Sequence, residues 1–117
     1  MKKKIEKLSY EDLKSIKSTF KRLKNDKTKL GISLIDEALF CGESLSKLKE
    51  IVQKNGYIVQ MDQGNYTIDR ENPAFKSYNT TLKNYQSLIK QINDLLLAVI
   101  NETDKEEKDE LEKFVGK

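Results

Sequence analysis

The feature that most constrains this chain is a run of apolar residues between positions 75 and 99. Phe75, Tyr78, Leu82, Tyr85, Ile89, Ile92, Leu96 and Val99 are separated by steps of 3, 4, 3, 4, 3, 4 and 3 residues. Seven faultless steps describe one apolar seam of period 3.5, which a single long helix presents to a packing partner in the manner of a coiled coil. Leu88, Leu95, Leu97 and Ile100 widen the apolar surface in the C-terminal half. Asn72 and Pro73, the only proline, stand where a helix cap and first helical residue belong. A helix this long and this apolar along one side demands a second element to lie on.

The residues before it supply candidates. Ser9 precedes Tyr10, Glu11 and Asp12, a hydroxyl cap followed by acids in the first turn. Leu13, Ile16, Phe20 and Leu23 then recur at helical spacing, and Asn25-Asp26 marks the expected end. From about Lys29 to Lys54 the spacing of Ile32, Ile35, Leu39, Leu45, Leu48 and Ile51 or Val52 is again helical. Gly42 interrupts it. Either one helix carries a weak point there, or two shorter helices meet at Gly42 with Ser44 capping the second. Asn55-Gly56 closes the region. Between the two long helical stretches the period changes to two. Tyr57, Val59 and Met61 alternate with Ile58, Gln60 and Asp62, and Tyr66 and Ile68 follow a turn at Asp62-Gln63-Gly64-Asn65. This predicts a short β-hairpin over residues 57–68, marginal alone and needing support from the helices or a neighbouring subunit. The fold class is therefore mainly α, a helical hairpin with a long C-terminal coiled-coil-like helix and a small β-hairpin insertion. Residues 1–27 read as a basic N-terminal arm and helix, 28–100 as a helical core and oligomerisation domain, and 101–117 as an acidic C-terminal tail.

At 117 residues there is room for one domain. Composition narrows the chemistry. With no histidine and one cysteine, Cys41, the common nucleophile pairs and zinc sites cannot be assembled. No phosphate-binding glycine loop is present, so no catalytic residue, metal or cofactor is expected. Cys41, beside Phe40 and Gly42, reads as a small semi-buried residue with no base to activate it. No segment reaches the roughly 20 apolar residues of a membrane span, and no signal-type apolar stretch follows the first lysines. A soluble, cytoplasmic protein that works by binding is the expectation.

The net charge of +3 conceals an asymmetry. Residues 1–30 hold 11 basic and 4 acidic residues, a balance of +7, and residues 31–117 hold 11 basic and 15 acidic, a balance of −4. Lys14, Lys17, Lys21 and Lys24 repeat the spacing of the first helix's apolar stripe one position later, forming a basic ridge beside it, with Arg22 and Lys27 nearby. Such a ridge suits phosphate neutralisation, and the plainer alternative is a solvated helix face. No constellation that reads bases is evident. In the tail, Leu111, Phe114 and Val115 are the apolar residues of a lysine-interleaved acidic run and candidate anchors on a partner, the alternative being a solubilising tail.

The segment Arg70-Glu71-Asn72-Pro73-Ala74-Phe75-Lys76, leading to Tyr78-Asn79 and Leu82, resembles the small terminase subunits of tailed bacteriophages and prophages. There an Asn-Pro-Ala opening starts a long helix after a helix ending in glycine and a short hairpin. The likeness spans roughly residues 28–100. It departs after the helix: relatives often continue into a Leu-Gly-Leu-Thr-Pro-like turn, and this chain has Leu95-Leu96-Leu97-Ala98-Val99-Ile100-Asn101. The resemblance implies a non-enzymatic ring-forming adaptor in a bacterial host cytoplasm. It implies double-stranded viral DNA, the large terminase subunit and further copies of the chain as partners. The Phe75–Val99 seam would then serve oligomerisation as well as internal packing. Two other readings stand beside it: a dimeric helical DNA-binding regulator, and a coiled-coil protein-interaction module with no nucleic-acid role.

Overall fold

A computed structural model describes residues 8–102 and 105–115. Its elements are α1 (Tyr10–Leu23), α2 (Asp26–Asn55), β1 (Ile58–Asp62), β2 (Thr67–Glu71), α3 (Pro73–Glu102) and α4 (Lys105–Glu112). The mainly-α hairpin with a small β insertion expected from the periodicities is the fold observed. Helices α2 and α3 run antiparallel as a stalk. The β ribbon joins them at one end, and α1 and α4 pack on the other.

The helix ends follow from local hydrogen bonding. Ser9 Oγ accepts from the Asp12 amide at 3.0 Å, and the Asp12 carboxylate accepts from the Ser9 amide at 3.1 Å, a reciprocal cap. Lys24, in the left-handed region at φ 50°, ends α1. Asn25 then opens α2. Its Oδ1 accepts from the Thr28 amide and its own amide donates to Thr28 Oγ1, both at 2.9 Å. Only Lys24 and Asn25 separate the two helices, and α2 starts at Asp26 rather than near Lys29. The helix also runs unbroken through Gly42, which removes the two-helix alternative. Its end at Gly56, φ 84°, matches the expected glycine stop.

The ribbon is longer than expected. β2 continues to Glu71, pairing Met61 with Ile68 and Ile58 with Glu71. Asn72 at its base is 5% exposed and ties three segments together. Its amide donates to Tyr57 O at 2.7 Å, its Nδ2 to Gly56 O at 2.8 Å, and its Oδ1 accepts from the Ala74 amide at 3.0 Å. Asn72 is therefore both the cap of α3 and the latch of the ribbon, which is why strand pairing persists to the helix start.

The core is unevenly distributed. Leu13, Ile16 and Phe20 of α1, Ile35 and Ala38 of α2, Ile89, Ile92, Leu96, Val99 and Ile100 of α3, and Leu111 and Phe114 beyond them form one buried cluster. All belong to the end of the stalk that α1 and α4 cover. Phe20 lies so close over α2 that a Cβ at Gly31 would meet its ring at 2.4 Å. Toward the ribbon the stalk is only two helices thick, and Leu45, Leu48, Phe75, Tyr78 and Leu82 are half-buried. The molecule measures 69 × 32 × 18 Å with a radius of gyration of 18.9 Å, against about 13 Å for a compact domain of this length.

Two expectations are corrected here. The tail is no free appendage: Leu111 is fully buried and Phe114 is 9% exposed, both packed in the chain's own core. Eight residues of helix are marginal alone, so burial of these two side chains, worth about 2 kcal/mol each, is what holds α4. Only Val115, 38% exposed, remains available as an anchor. The basic first helix is likewise no separate arm. It is one wall of the core, and a boundary at residues 27 and 28 falls inside α2.

Candidate nucleic-acid interface and assembly surface

The six nominated cations divide into two groups. Lys17 pairs with Asp36 of α2 at 2.5 Å, Arg22 with Glu110 of α4 at 2.7 Å, and Lys27 with Glu102 at the end of α3. These three stitch α1 and the start of α2 to the rest of the fold. The other three stay available. Lys14 rests its ammonium 4.8 Å from the centre of the Tyr10 ring. Lys21 and Lys24 are exposed, with no carboxylate partner among the described residues. Half-exposed pairs are worth about 0–1 kcal/mol, so a phosphate can displace them, but each competes with it. The ridge is therefore weaker as a phosphate surface than its lysine count suggests.

A second basic row was missed by sequence reasoning. Lys76, Lys83 and Lys90 of α3 are seven residues apart, all exposed, and unpaired among the described residues. At 1.5 Å per residue they stand about 10.5 Å apart along the stalk. Their exact heptad spacing is the signal, one position after Phe75, Leu82 and Ile89 of the apolar seam.

The seam itself splits at its middle. Ile89, Ile92, Leu96 and Val99 are at most 1% exposed, consumed by the chain's own core, so they are corrected from oligomerisation residues to monomer core. Phe75, Tyr78, Leu82 and Tyr85 are half-buried in the two-layer part of the stalk, and these retain surface for a neighbour. Tyr57 stacks edge-on against Phe75 at 4.9 Å between ring centres. Together with Lys49, Val52, Gln53 and Tyr78 they line a cleft of about 160 Å³ under the ribbon.

Cys41 sits part-way along the stalk near Tyr85. Burial, and then the Glu37 carboxylate, push its thiol above the usual range. Burial, and then Cys41, raise the Tyr85 phenol in turn. Both groups are neutral at physiological pH, and neither gains the charge a nucleophile needs. Among the described residues no three His, Cys, Asp or Glu side chains converge as metal ligands, and no helix is long and apolar enough to cross a membrane.

Comparison with protein-family models, with curated proteins and with solved structures finds no match to this chain.

Proposed function

We propose that this protein is a non-enzymatic, self-assembling DNA adaptor of the small-terminase type, serving a large ATPase-nuclease partner. The observation that supports this best is the division of the stalk. One end is a closed core carrying exposed lysines, and the other is a two-helix hairpin whose apolar residues are only half covered. A chain that leaves Phe75, Tyr78, Leu82 and Tyr85 half-buried gains stability by packing against further copies. Repetition around an assembly multiplies the three available lysines of the ridge and the row at Lys76, Lys83 and Lys90. Contact with the large subunit falls on surfaces other than Leu111 and Phe114, which the core uses.

Light scattering at micromolar concentration tests the assembly, and a species of 13.6 kDa refutes it. DNA affinity measured across salt tests the second half, since counterion release makes binding fall steeply with ionic strength. Replacing Lys14, Lys17, Lys21 and Lys24 with Ala is expected to weaken binding, the row at Lys76, Lys83 and Lys90 remaining, while leaving the assembly intact.

A second reading has its own support. Three of six nominated cations are already paired inside the chain, which favours a coiled-coil interaction module without nucleic acid. An assembly with no salt-sensitive DNA affinity would select that reading. A strict dimer that binds DNA would select the two-fold regulator.

A further inference from the structure

The stalk has two very different sides. On one, α1 lies against α2. On the other, a shallow groove of about 280 Å³ runs between α2 and α3, lined by Leu30, Leu34, Gln91, Asp94, Leu95 and Ala98 and by no other element. Seven residues carry a helix nearly two full turns, so each lining position begins a stripe along the same side. On α2 these stripes are 30/37/44/51 and 34/41/48, and on α3 they are 73/80/87/94, 74/81/88/95 and 77/84/91/98. Of these nineteen positions only Glu37 and Asp94 are charged. In a chain with 35% charged residues, nineteen positions would carry about seven. The stripes that point elsewhere show the contrast: 29/36/43/50 is charged at every position, and 76/83/90 is charged up to Leu97.

This bare side is not simply core. Leu30 is 55% exposed and Ile51 is 42% exposed, while Leu34, Cys41, Leu48 and Leu88 are half-buried. Loss of charge from a partly exposed surface is a mark of the centre of a protein contact. Its size fits as well. A 30-residue helix is about 45 Å long, and two helices side by side are about 20 Å wide, giving roughly 900 Å² per copy. A stable interface needs about 800 Å² from each partner.

We infer that the groove side of α2 and α3, centred on Leu34, Cys41, Leu48 and Leu88, is the surface on which a second copy of this chain seats. The inference rests on the self-assembly proposed above and adds a second contact face beside the half-covered row of Phe75, Tyr78, Leu82 and Tyr85. Burial there removes the exposed aliphatic side chains from water and strands no lysine. The two carboxylates on this side, Glu37 and Asp94, are both exposed.

The test adds charge where the structure tolerates it. Leu30→Lys with Ile51→Lys, both at exposed positions, is measured by light scattering beside the wild-type chain, with circular dichroism to confirm helix content. A second variant, Ser77→Arg with Asn84→Arg, changes only exposed polar residues of α3. Lys83→Glu, on the charged side, is the control. The expected result is an assembled wild type, an assembled control, and both groove variants reduced at least twofold in mass, toward 13.6 kDa. If the wild type is assembled and both variants keep its mass, the face is wrong and self-assembly stands. If the wild type is itself 13.6 kDa, self-assembly and the face fail together.

Discussion

Gly31 is where two opposing effects can be separated by a single methyl group. It lies in the second turn of α2, fully buried beneath Phe20. Replacing glycine with alanine inside a helix ordinarily stabilises it by about 1 kcal/mol. Here the new carbon would sit 2.4 Å from Phe20 Cε2, 2.6 Å from Cδ2 and 3.2 Å from Leu95 Cδ2. Carbon atoms rest at about 3.5–4.0 Å, so the ring must withdraw by more than 1 Å. Phe20 is 0% exposed and has no vacant direction to take. Overpacking of this kind costs about 1–3 kcal/mol, which exceeds the helix gain over most of its range. Gly31→Ala is therefore expected to destabilise the chain by about 1 kcal/mol, lowering the melting temperature by about 4 °C at this chain length. Urea unfolding followed by circular dichroism at fixed protein concentration reads the change. The cycle is completed on a Phe20→Leu background, where the smaller side chain leaves room. There the same substitution is expected to be neutral or stabilising, a coupling of about 1–2 kcal/mol between the two sites. Equal or greater stability of Gly31→Ala in the otherwise native chain would refute the claim that the ring lies on the glycine.

Three other outcomes are expected. Leu111→Ala should cost about 2–4 kcal/mol of core packing, seen first as faster amide exchange confined to α4 and the facing turns of α1 and α3. Asn72→Ala removes a helix cap and the side-chain ribbon bond to Gly56, for a loss of about 2 kcal/mol, with amides of residues 58–71 exchanging before those of α2. The raised Cys41 thiol and Tyr85 phenol favour the folded state only while protonated. Their contribution is complete below the ordinary values of 9.0 and 10.0 and falls as pH rises through and beyond them, so stability against urea should decline in that alkaline range. Thiol labelling of the folded chain should correspondingly begin at higher pH than for free cysteine.

What could be read from the sequence depended on the range of the interaction. The start of α3 was legible because Asn72 and Pro73 act on the next turn of backbone, and the seam because its period repeats within one helix. The capping of α1 by Ser9 and Asp12 is equally local. Cation pairing was not legible, since the partners of Lys17, Arg22 and Lys27 lie 19, 88 and 75 residues away. The docking of α4 was hidden for another reason. Leu111 and Phe114 are two apolar residues in a charged run, and their spacing of three is too brief a pattern to distinguish an anchored turn from a solvated one. The α2 boundary lies earlier than the periodicity implies because Asn25, a turn-favouring residue after α1, caps the next helix with its side chain.

The latch at Asn72 gives the ribbon a mechanical character. The ribbon's two roots, Gly56-Tyr57 and Asn72, are bonded to each other and to the first turn of α3, so it has no free hinge at its base. A load applied at the turn near Gly64 is delivered to the ends of α2 and α3 together, and along them toward the groove. Whatever touches the tip of this molecule pulls on the spacing of the two helices rather than swinging a loop.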